Sequence, residues 1–288
     1  MTDPVTVGLV GAGPWAHEMH APVLAAGPET ALAAVWARRP SAAEELAARF
    51  QTHACSTFED LLDRCEAVVF AVPPDVQAHL AITAARAGKA LLLEKPLALS
   101  LVDAVRLVDA VGEAGVVTQL VLTRRYHPAT REFLARAAEF RASGALVCHT
   151  HAALLAGPYA TPWRLAHGIL LDLGPHSLDL MDAALGPIAE IRAAGDPRTW
   201  VALTCAHESG AISTAALSGT VGTSCSRIEL FGPDGALTYD STGQDRAPAW
   251  ATLRREFADA VRAKRSHDLD AHRGLYLQRL IEQATPVF

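Results

Sequence analysis

The chain has 288 residues, half of them hydrophobic and 19% charged, with a formal net charge of -6 and a pI near 6.0. That length supports one large domain or two modest ones with real cores, and the composition excludes a disordered chain. The mildly acidic balance offers no electrostatic footprint for nucleic acid or an anionic membrane, and every apolar run stops well short of a membrane span.

The opening stretch, MTDPVTVGLVGAG, has no basic leader before its apolar run, so no signal peptide is expected. The cysteines, Cys55, Cys65, Cys148, Cys205 and Cys225, are odd in number and never form C-x-x-C. They read as reduced thiols of a cytoplasmic protein, not as a disulfide framework or a zinc site.

In chain order, strand signals come first at VTVGLV (5–10), ALAAVW (31–36), AVVFAV (67–72), ALLL (90–93) and VVTQLVL (116–122). They are near-continuous apolar runs, as parallel strands buried on both faces require. Helices fill the gaps. Ser41 with Glu44, and Ser100 with Asp103, read as capping boxes. Pro74-Asp75 opens a helix that Gly88 closes. Strand and helix in alternation predict a doubly wound parallel sheet with right-handed crossovers.

The pattern changes after residue 123. A helix over 128–142, a strand over 145–152 and a helix over about 173–185 are followed by five strand-like runs, IAEIRA, TWVALTCA, AISTAALS, SRIELFG and ALTYD. Gly- and Pro-containing turns between them suit an open, mainly antiparallel sheet in an α+β domain. Two helices, about 249–264 and 271–284, end the chain. The expected domains are 1–123 and 124–288.

Three motifs carry chemistry. The first is Gly11-x-Gly13-x-x-Ala16, directly after the first strand and opening a helix. Gly11 permits the tight turn, Gly13 lets backbone approach a pyrophosphate, and the third position needs a small residue against the sheet. The helix N-terminus adds amide donors and a favourable dipole; Pro14 has no N–H, so they come from Trp15 and its neighbours. This predicts dinucleotide binding. An NAD site usually ends its second strand in an acid for the ribose hydroxyls. Here Ala37 stands in that place and Arg38 and Arg39 follow, which favours NADP, since guanidinium groups welcome a 2′-phosphate. Arginines that only stack on adenine or face solvent remain compatible with NAD.

The second motif is LLLEKPLA (91–98), a buried strand ending in Glu94, Lys95 and Pro96. Ligands of open α/β sheets bind beyond the carboxyl ends of strands, so these charges either enter that crevice or reach the surface. The third motif is TPWRLAHGILLDLGPHSLDL. Asp172, His176 and Asp179 are spaced four and three apart, so on one continuous helix they share a face. Pro175 would start a helix comfortably or interrupt one already running. A carboxylate near a histidine makes a plausible general acid/base; a capping aspartate with a satisfied histidine is the competing reading. His17, His20, His149 and His151 read as hydrogen-bonded or solvent-facing, and no metal site is expected.

These motifs, in this order, resemble the Gfo/Idh/MocA family of oxidoreductases, with GAGPWAHEMHAPVL, AVPPDVQAHLAITAARAGKALLLEKPLA, PWRLAHGILLDLGPHSLDL and FGPDGALTYD carrying the likeness. The resemblance implies a Rossmann domain followed by an α+β domain with an open sheet often used for oligomer contacts, here a dimer or tetramer. It places the active-site lysine, aspartate and histidine on Lys95, Asp172 and His176. It adds Val72, Pro73, His79 and Glu94 to Gly11, Gly13, Pro14, Trp15, Arg38, Arg39 and Lys95 as the cofactor set. The expected reaction is NAD(P)-dependent hydride transfer between a nicotinamide and a secondary alcohol or ketone of a sugar or cyclitol. Arg124, Tyr126, Trp163 and Arg164 are candidate substrate contacts. The alternatives are a non-catalytic NADP-binding sensor or corepressor, and a reductase of a non-sugar ketone, imine or dihydrodiol.

Overall fold

The computed structural model of the chain describes residues 3–284, which divide into two compact units, residues 3–122 with 250–276 and residues 123–249 with 277–284.

The first unit grows from runs of Val, Leu, Ala and Phe that no water-facing strand could carry. β1 (Val5–Val10), β2 (Thr30–Trp36), β3 (His53–Ala54), β4 (Ala67–Phe70), β5 (Ala90–Leu93) and β6 (Thr118–Leu120) form one sheet in the order β3-β2-β1-β4-β5-β6. Every pair is parallel, and the order reverses between β1 and β4, where such sheets bind ligands. All residues of β4 and β5 are buried. Each of Leu91, Leu92 and Leu93 contributes roughly 1.5–3 kcal/mol by that burial, which anchors the strand whose next residues are Glu94 and Lys95.

A π-helical turn, Ala16–His20, runs into α1 (Ala21–Ala25) after the first glycine loop. α2 (Pro40–Phe50), α3 (Phe58–Asp63), α4 (Pro74–Arg86) and α5 (Leu101–Ala114) follow. α5 begins as its capping box predicts: Asp103 N donates to Ser100 Oγ at 3.1 Å, and Gly115, at φ 65, ends the helix. Most of α9 (Ala247–Ala263) and the start of α10 (Ala271–Ala284) return to this unit. Leu120 N donates to Leu269 O, and Gln119 Nε2 to Leu253 O. The returning segment thereby covers the otherwise open edge at β6.

The second unit holds α6 (Thr123–Tyr126), α7 (Pro128–Glu139), β7 (Gly144–Thr150), α8 (Pro162–Leu185), β8 (Ile188–Asp196), β9 (Trp200–His207), β10 (Ile212–Ser218), β11 (Cys225–Gly232) and β12 (Gly235–Asp240). Its sheet order is β12-β11-β7-β10-β9-β8. Only β7 with β10 is parallel; the other pairs are antiparallel. Alternation is clean: Val147, Leu203, Ala215, Leu217, Ile228 and Leu230 are buried on the face where α8 lies, while Leu146, Trp200, Ile212 and Phe231 stay exposed on the other.

Several expectations shift. Ser41 does not cap α2: the helix starts at Pro40, whose fixed φ suits the first turn, and Arg39 takes the cap position without a side-chain bond. β3 and α3 had no expectation; β3 is too short for a period to show. The strand expected over 116–122 shortens to three residues. The helix expected from about 173 begins at Pro162 and breaks at Gly168 (φ 75, ψ -167), not at Pro175, which lies inside the second helical run. A glycine can hold that positive φ and Pro175 cannot, so the chain turns where the left-handed conformation is cheap. The C-terminal helices, expected with the second domain, are shared between the units.

Candidate active site

In the first unit the glycine loop has the two properties a phosphate cradle needs. Gly11 sits at φ +112, and a Cβ there would collide with the Ala71 carbonyl; a Cβ at Gly13 would meet nothing within 4 Å. The first glycine is thus obligatory for the fold, and the second leaves open space over the backbone. Ala16 is fully buried, as the small third position requires. At the end of β2, Arg38 and Arg39 are exposed and neither has a side-chain hydrogen bond or ion pair among the described residues. Val72 and Pro73 are half-buried just past β4, and His79 is exposed on α4.

The turn after β5 is held from several sides. Gln77, fully buried on α4, donates from Nε2 to Glu94 O at 2.8 Å and to Leu97 O at 3.1 Å, and accepts at Oε1 from Glu94 N at 2.8 Å. The Glu94 carboxylate accepts from Trp15 Nε1 at 2.6 Å and His20 Nε2 at 2.8 Å. Its second oxygen accepts from Lys95 N at 3.2 Å. Trp15, His20 and Trp250 pack edge to face around that carboxylate. The charge at the strand end is therefore split: Glu94 is spent on tying the turn to the first helix, and half-buried Lys95 comes next, joined to Pro96 by a cis peptide bond.

In the second unit, every residue from Gly168 to Asp182 is buried except His176, which is half-buried. An all-round buried helix that opens at one histidine presents that side chain and little else. Asp172, one turn before it, accepts from Arg164 Nε at 3.3 Å, and the Arg164 guanidinium stacks over Trp163 at 4.7 Å. Of the expected substrate contacts, Trp163 and Arg164 thus form the wall beside Asp172. Tyr126 is fully buried with Arg131 over its ring, a packing position. Arg125 pairs with buried Asp179 at 3.0 Å, so Asp179 carries an arginine partner of its own.

Arg124 differs from its neighbour. Its Nη2 lies 2.6 Å from His149 Nε2, and Nη1 donates weakly to Ser241 Oγ at 3.5 Å. A guanidinium only donates, so His149 accepts at Nε2 and donates from Nδ1 to Ser177 Oγ, 3.1 Å away. Burial, then the charge of Arg246, lower the Arg124 guanidinium to about 10; Tyr239 opposes them, and it stays cationic at neutral pH.

Sequence reasoning missed Gln77, the Trp15–Glu94–His20 tie and the Arg124–His149–Ser177 chain. Gln77 left a signal: it lies on the same face of α4 as Ala78, Ala81, Ala84 and Ala85, a lone polar residue among buried ones. The other two join residues more than twenty positions apart and left none. A separate cluster, His53, Cys55 and Asp60, groups its ligand atoms within 4.8 Å. Burial, with Asp60 beside it, pushes the Cys55 thiol up to about 12, and Arg64 pairs with the Asp60 carboxylate at 2.8 Å.

Comparison with known proteins identifies the family. The sequence profile of the "oxidoreductase family, NAD-binding Rossmann fold" matches residues 5–121, and that of the "GFO/IDH/MocA C-terminal domain" matches 136–238, together more than half of the chain. A dTDP-3,4-didehydro-2,6-dideoxy-α-D-glucose 3-reductase of Saccharopolyspora spinosa is 32% identical over 46% of this chain and 42% of its own length. The enzyme of that name from Streptomyces violaceoruber is 28% identical over 81% of this chain and 68% of its own. The first match therefore spans less than half of that relative. Among solved structures, GenD2 from gentamicin A biosynthesis, in complex with NAD, superposes with a TM-score of 0.88 at 25% identity, covering 99% of this chain and 94% of that one.

Proposed function

As the chain belongs to the Gfo/Idh/MocA family of oxidoreductases, we propose that it transfers a hydride between a nicotinamide nucleotide and a secondary alcohol or ketone of a small polyhydroxylated substrate, a sugar or cyclitol. The observation that carries the reading is the pairing, in one chain, of a phosphate-cradle glycine loop with a buried helix that opens only at His176. The relatives' names, 3-ketoreductases of a deoxysugar nucleotide, support the sugar class.

The nucleotide supplies the hydride acceptor or donor when bound. Gly11, Gly13 and the amides from Trp15 onward hold its pyrophosphate, with Val72, Pro73 and His79 as further contacts. Glu94 acts on it indirectly, by fixing the turn that carries Lys95. Two unpaired arginines where an acid would repel a 2′-phosphate favour NADP over NAD. We assign Lys95 the role of donating a hydrogen bond to the substrate oxygen and stabilising charge that develops there. His176 takes the hydroxyl proton in oxidation and returns it in reduction. Asp172, steadied by Arg164, orients His176 or binds a neighbouring hydroxyl. A sensor would need none of these proton-handling groups.

Exposed Leu146, Ile212 and Phe231 sit on adjacent strands of the open sheet, with Trp200 on the next. A patch of that kind supports a homo-oligomer formed through this face. Free thiols throughout, and no helix among the described residues long and apolar enough to cross a membrane, accord with a cytoplasmic enzyme.

The test is calorimetric titration with NADP⁺ and NAD⁺ on the wild type and on Arg38→Ala, followed by a screen of sugars and cyclitols for reduced-nicotinamide absorbance. Tight NADP⁺ binding that weakens at least tenfold in Arg38→Ala, with turnover on a polyol, is the expected result. Binding of neither nucleotide would overturn the reading.

A further inference from the structure

Three metal-ligating side chains that the proposed reaction does not use meet at one edge of the first sheet. His53 opens β3, and Cys55 follows two residues later. Cys55 N donates to Val35 O at 2.8 Å, so the ladder to β2 runs on through it. A spacing of two along extended chain sends both side chains to one face. Asp60 comes from the first turn of α3, where its N donates to the capping Thr57 Oγ1 at 3.1 Å. One ligand atom from each of the three lies within 4.8 Å of the other two. His53 is exposed, Asp60 half-buried and Cys55 buried. The spacing of His53 and Cys55 alone predicts no metal site, because the third donor arrives from the next helix.

The separations suit one ion. Tetrahedral ligands of zinc stand roughly 3.3–3.6 Å apart, given metal–ligand bonds of roughly 2.0–2.3 Å. His53 Nε2 is 3.6 Å from Asp60 Oδ2. Asp60 can offer that oxygen because its other one, Oδ1, accepts from Arg64 Nε at 2.8 Å. A ligating carboxylate is commonly fixed by such a hydrogen bond from behind. The exposed imidazole can swing onto an entering ion, and the buried thiol is held in place. With the thiol ionised, two negative charges face a divalent ion, and the Arg64 cation offsets only one.

We propose that His53, Cys55 and Asp60 form a binding site for one zinc-like divalent ion, with water as its fourth ligand. One imidazole, one thiolate and one carboxylate select a borderline ion such as zinc over magnesium or calcium, which take oxygen ligands. As the sulfur–metal bond forms, the thiol proton passes to solvent. Three strands separate β3 from β5, the strand that leads into Lys95, so the ion takes no part in the chemistry assigned to that lysine. It ties β3, only two residues long, to α3. The site lies beyond the oxidoreductase reading and stands without it.

The test uses the whole chain, reduced, stripped with a chelator and titrated with Co²⁺ as a coloured stand-in for zinc. One equivalent is expected to raise a near-ultraviolet thiolate-to-cobalt charge-transfer band together with the visible bands of a four-coordinate ion. Zinc, which binds such a site more tightly, should bleach both. The charge-transfer band should vanish in Cys55→Ser. The cobalt dissociation constant should rise at least about tenfold in His53→Gln and in Asp60→Asn, a loss that even the partner behind a ligand can cause. Cys225→Ser, whose target is a half-buried thiol of β11, should bind cobalt as the wild type does. Urea midpoints measured without metal show which variants are folded, and exposed His53 keeps the test decisive should Cys55→Ser fail to fold. A wild type without the charge-transfer band, a band that survives Cys55→Ser, or an affinity unaltered in His53→Gln overturns the inference. Every one of these outcomes leaves the oxidoreductase reading standing.

Discussion

Gln77 shows how much one buried amide can hold. It closes four hydrogen bonds around the Glu94–Leu97 turn from a helix seventeen residues upstream. Gln77→Leu keeps the volume but leaves Glu94 N and buried carbonyls without partners, at a cost of about 1–3 kcal/mol per orphaned group. A lowered urea midpoint, with turnover falling more than nucleotide affinity, is expected; an unchanged midpoint would show the turn is held otherwise. The thiols give a pH prediction. Burial raises Cys55 to about 12 and Cys205 to about 11, above an ordinary 9.0. A group whose folded value is raised stabilises the fold below the unfolded value and loses that contribution as pH climbs toward the folded one. Stability should therefore fall between pH 9 and 12, and Cys55→Ala should flatten part of that fall in a series of urea midpoints. At this scale the sequence is legible where a residue type announces a local role, as the Gly11 turn and the Ser100 cap do. It was silent where a role depends on who stands opposite: nothing in LLLEKPLA shows that Glu94 turns to Trp15 and His20.

At the scale of elements, α8 is the informative case. Its apolar run and its Asp172–His176 spacing are plain in sequence, but its break is not, because Pro175 draws attention away from Gly168. The structure resolves the competition by geometry: Gly168 holds φ 75, a Cβ there would strike the Pro197 carbonyl, and Ile169 N donates to that same oxygen. Gly168→Ala should cost about 1–3 kcal/mol in backbone strain and more through the collision, read as a lower melting temperature; a neutral effect would mean the break is not fixed by this glycine. α5 is the opposite case: its start is predicted by Ser100 with Asp103, and its end falls on Gly115 in the left-handed conformation. Ser100→Ala should lower stability by about 1 kcal/mol, a shift a urea titration resolves. Local signals succeed where the helix end is satisfied locally, and fail where a distant carbonyl decides.

At the scale of the molecule, the parallel-then-antiparallel change of pattern near residue 123 announced two sheets, and both are there in the expected classes. The return of residues 250–276 to the first unit was not announced, because a helix carries no mark of which sheet it will cover. The exposed face of the second sheet yields a prediction here: the wild type is expected to elute as an oligomer in size-exclusion chromatography and Leu146→Glu with Ile212→Glu as a monomer, and an elution volume unaltered by the substitutions would place the contact elsewhere. The proposal at the centre of this account, that Lys95 handles the reacting oxygen, is tested most directly by Lys95→Met. Steady-state turnover and calorimetric nucleotide affinity are measured on the same preparation. Loss of turnover by at least about a hundredfold, the scale of one removed charge-stabilising donor, with nucleotide affinity within a few-fold of the wild type, is the predicted result. A Lys95→Met enzyme that turns over at the wild-type rate would contradict it.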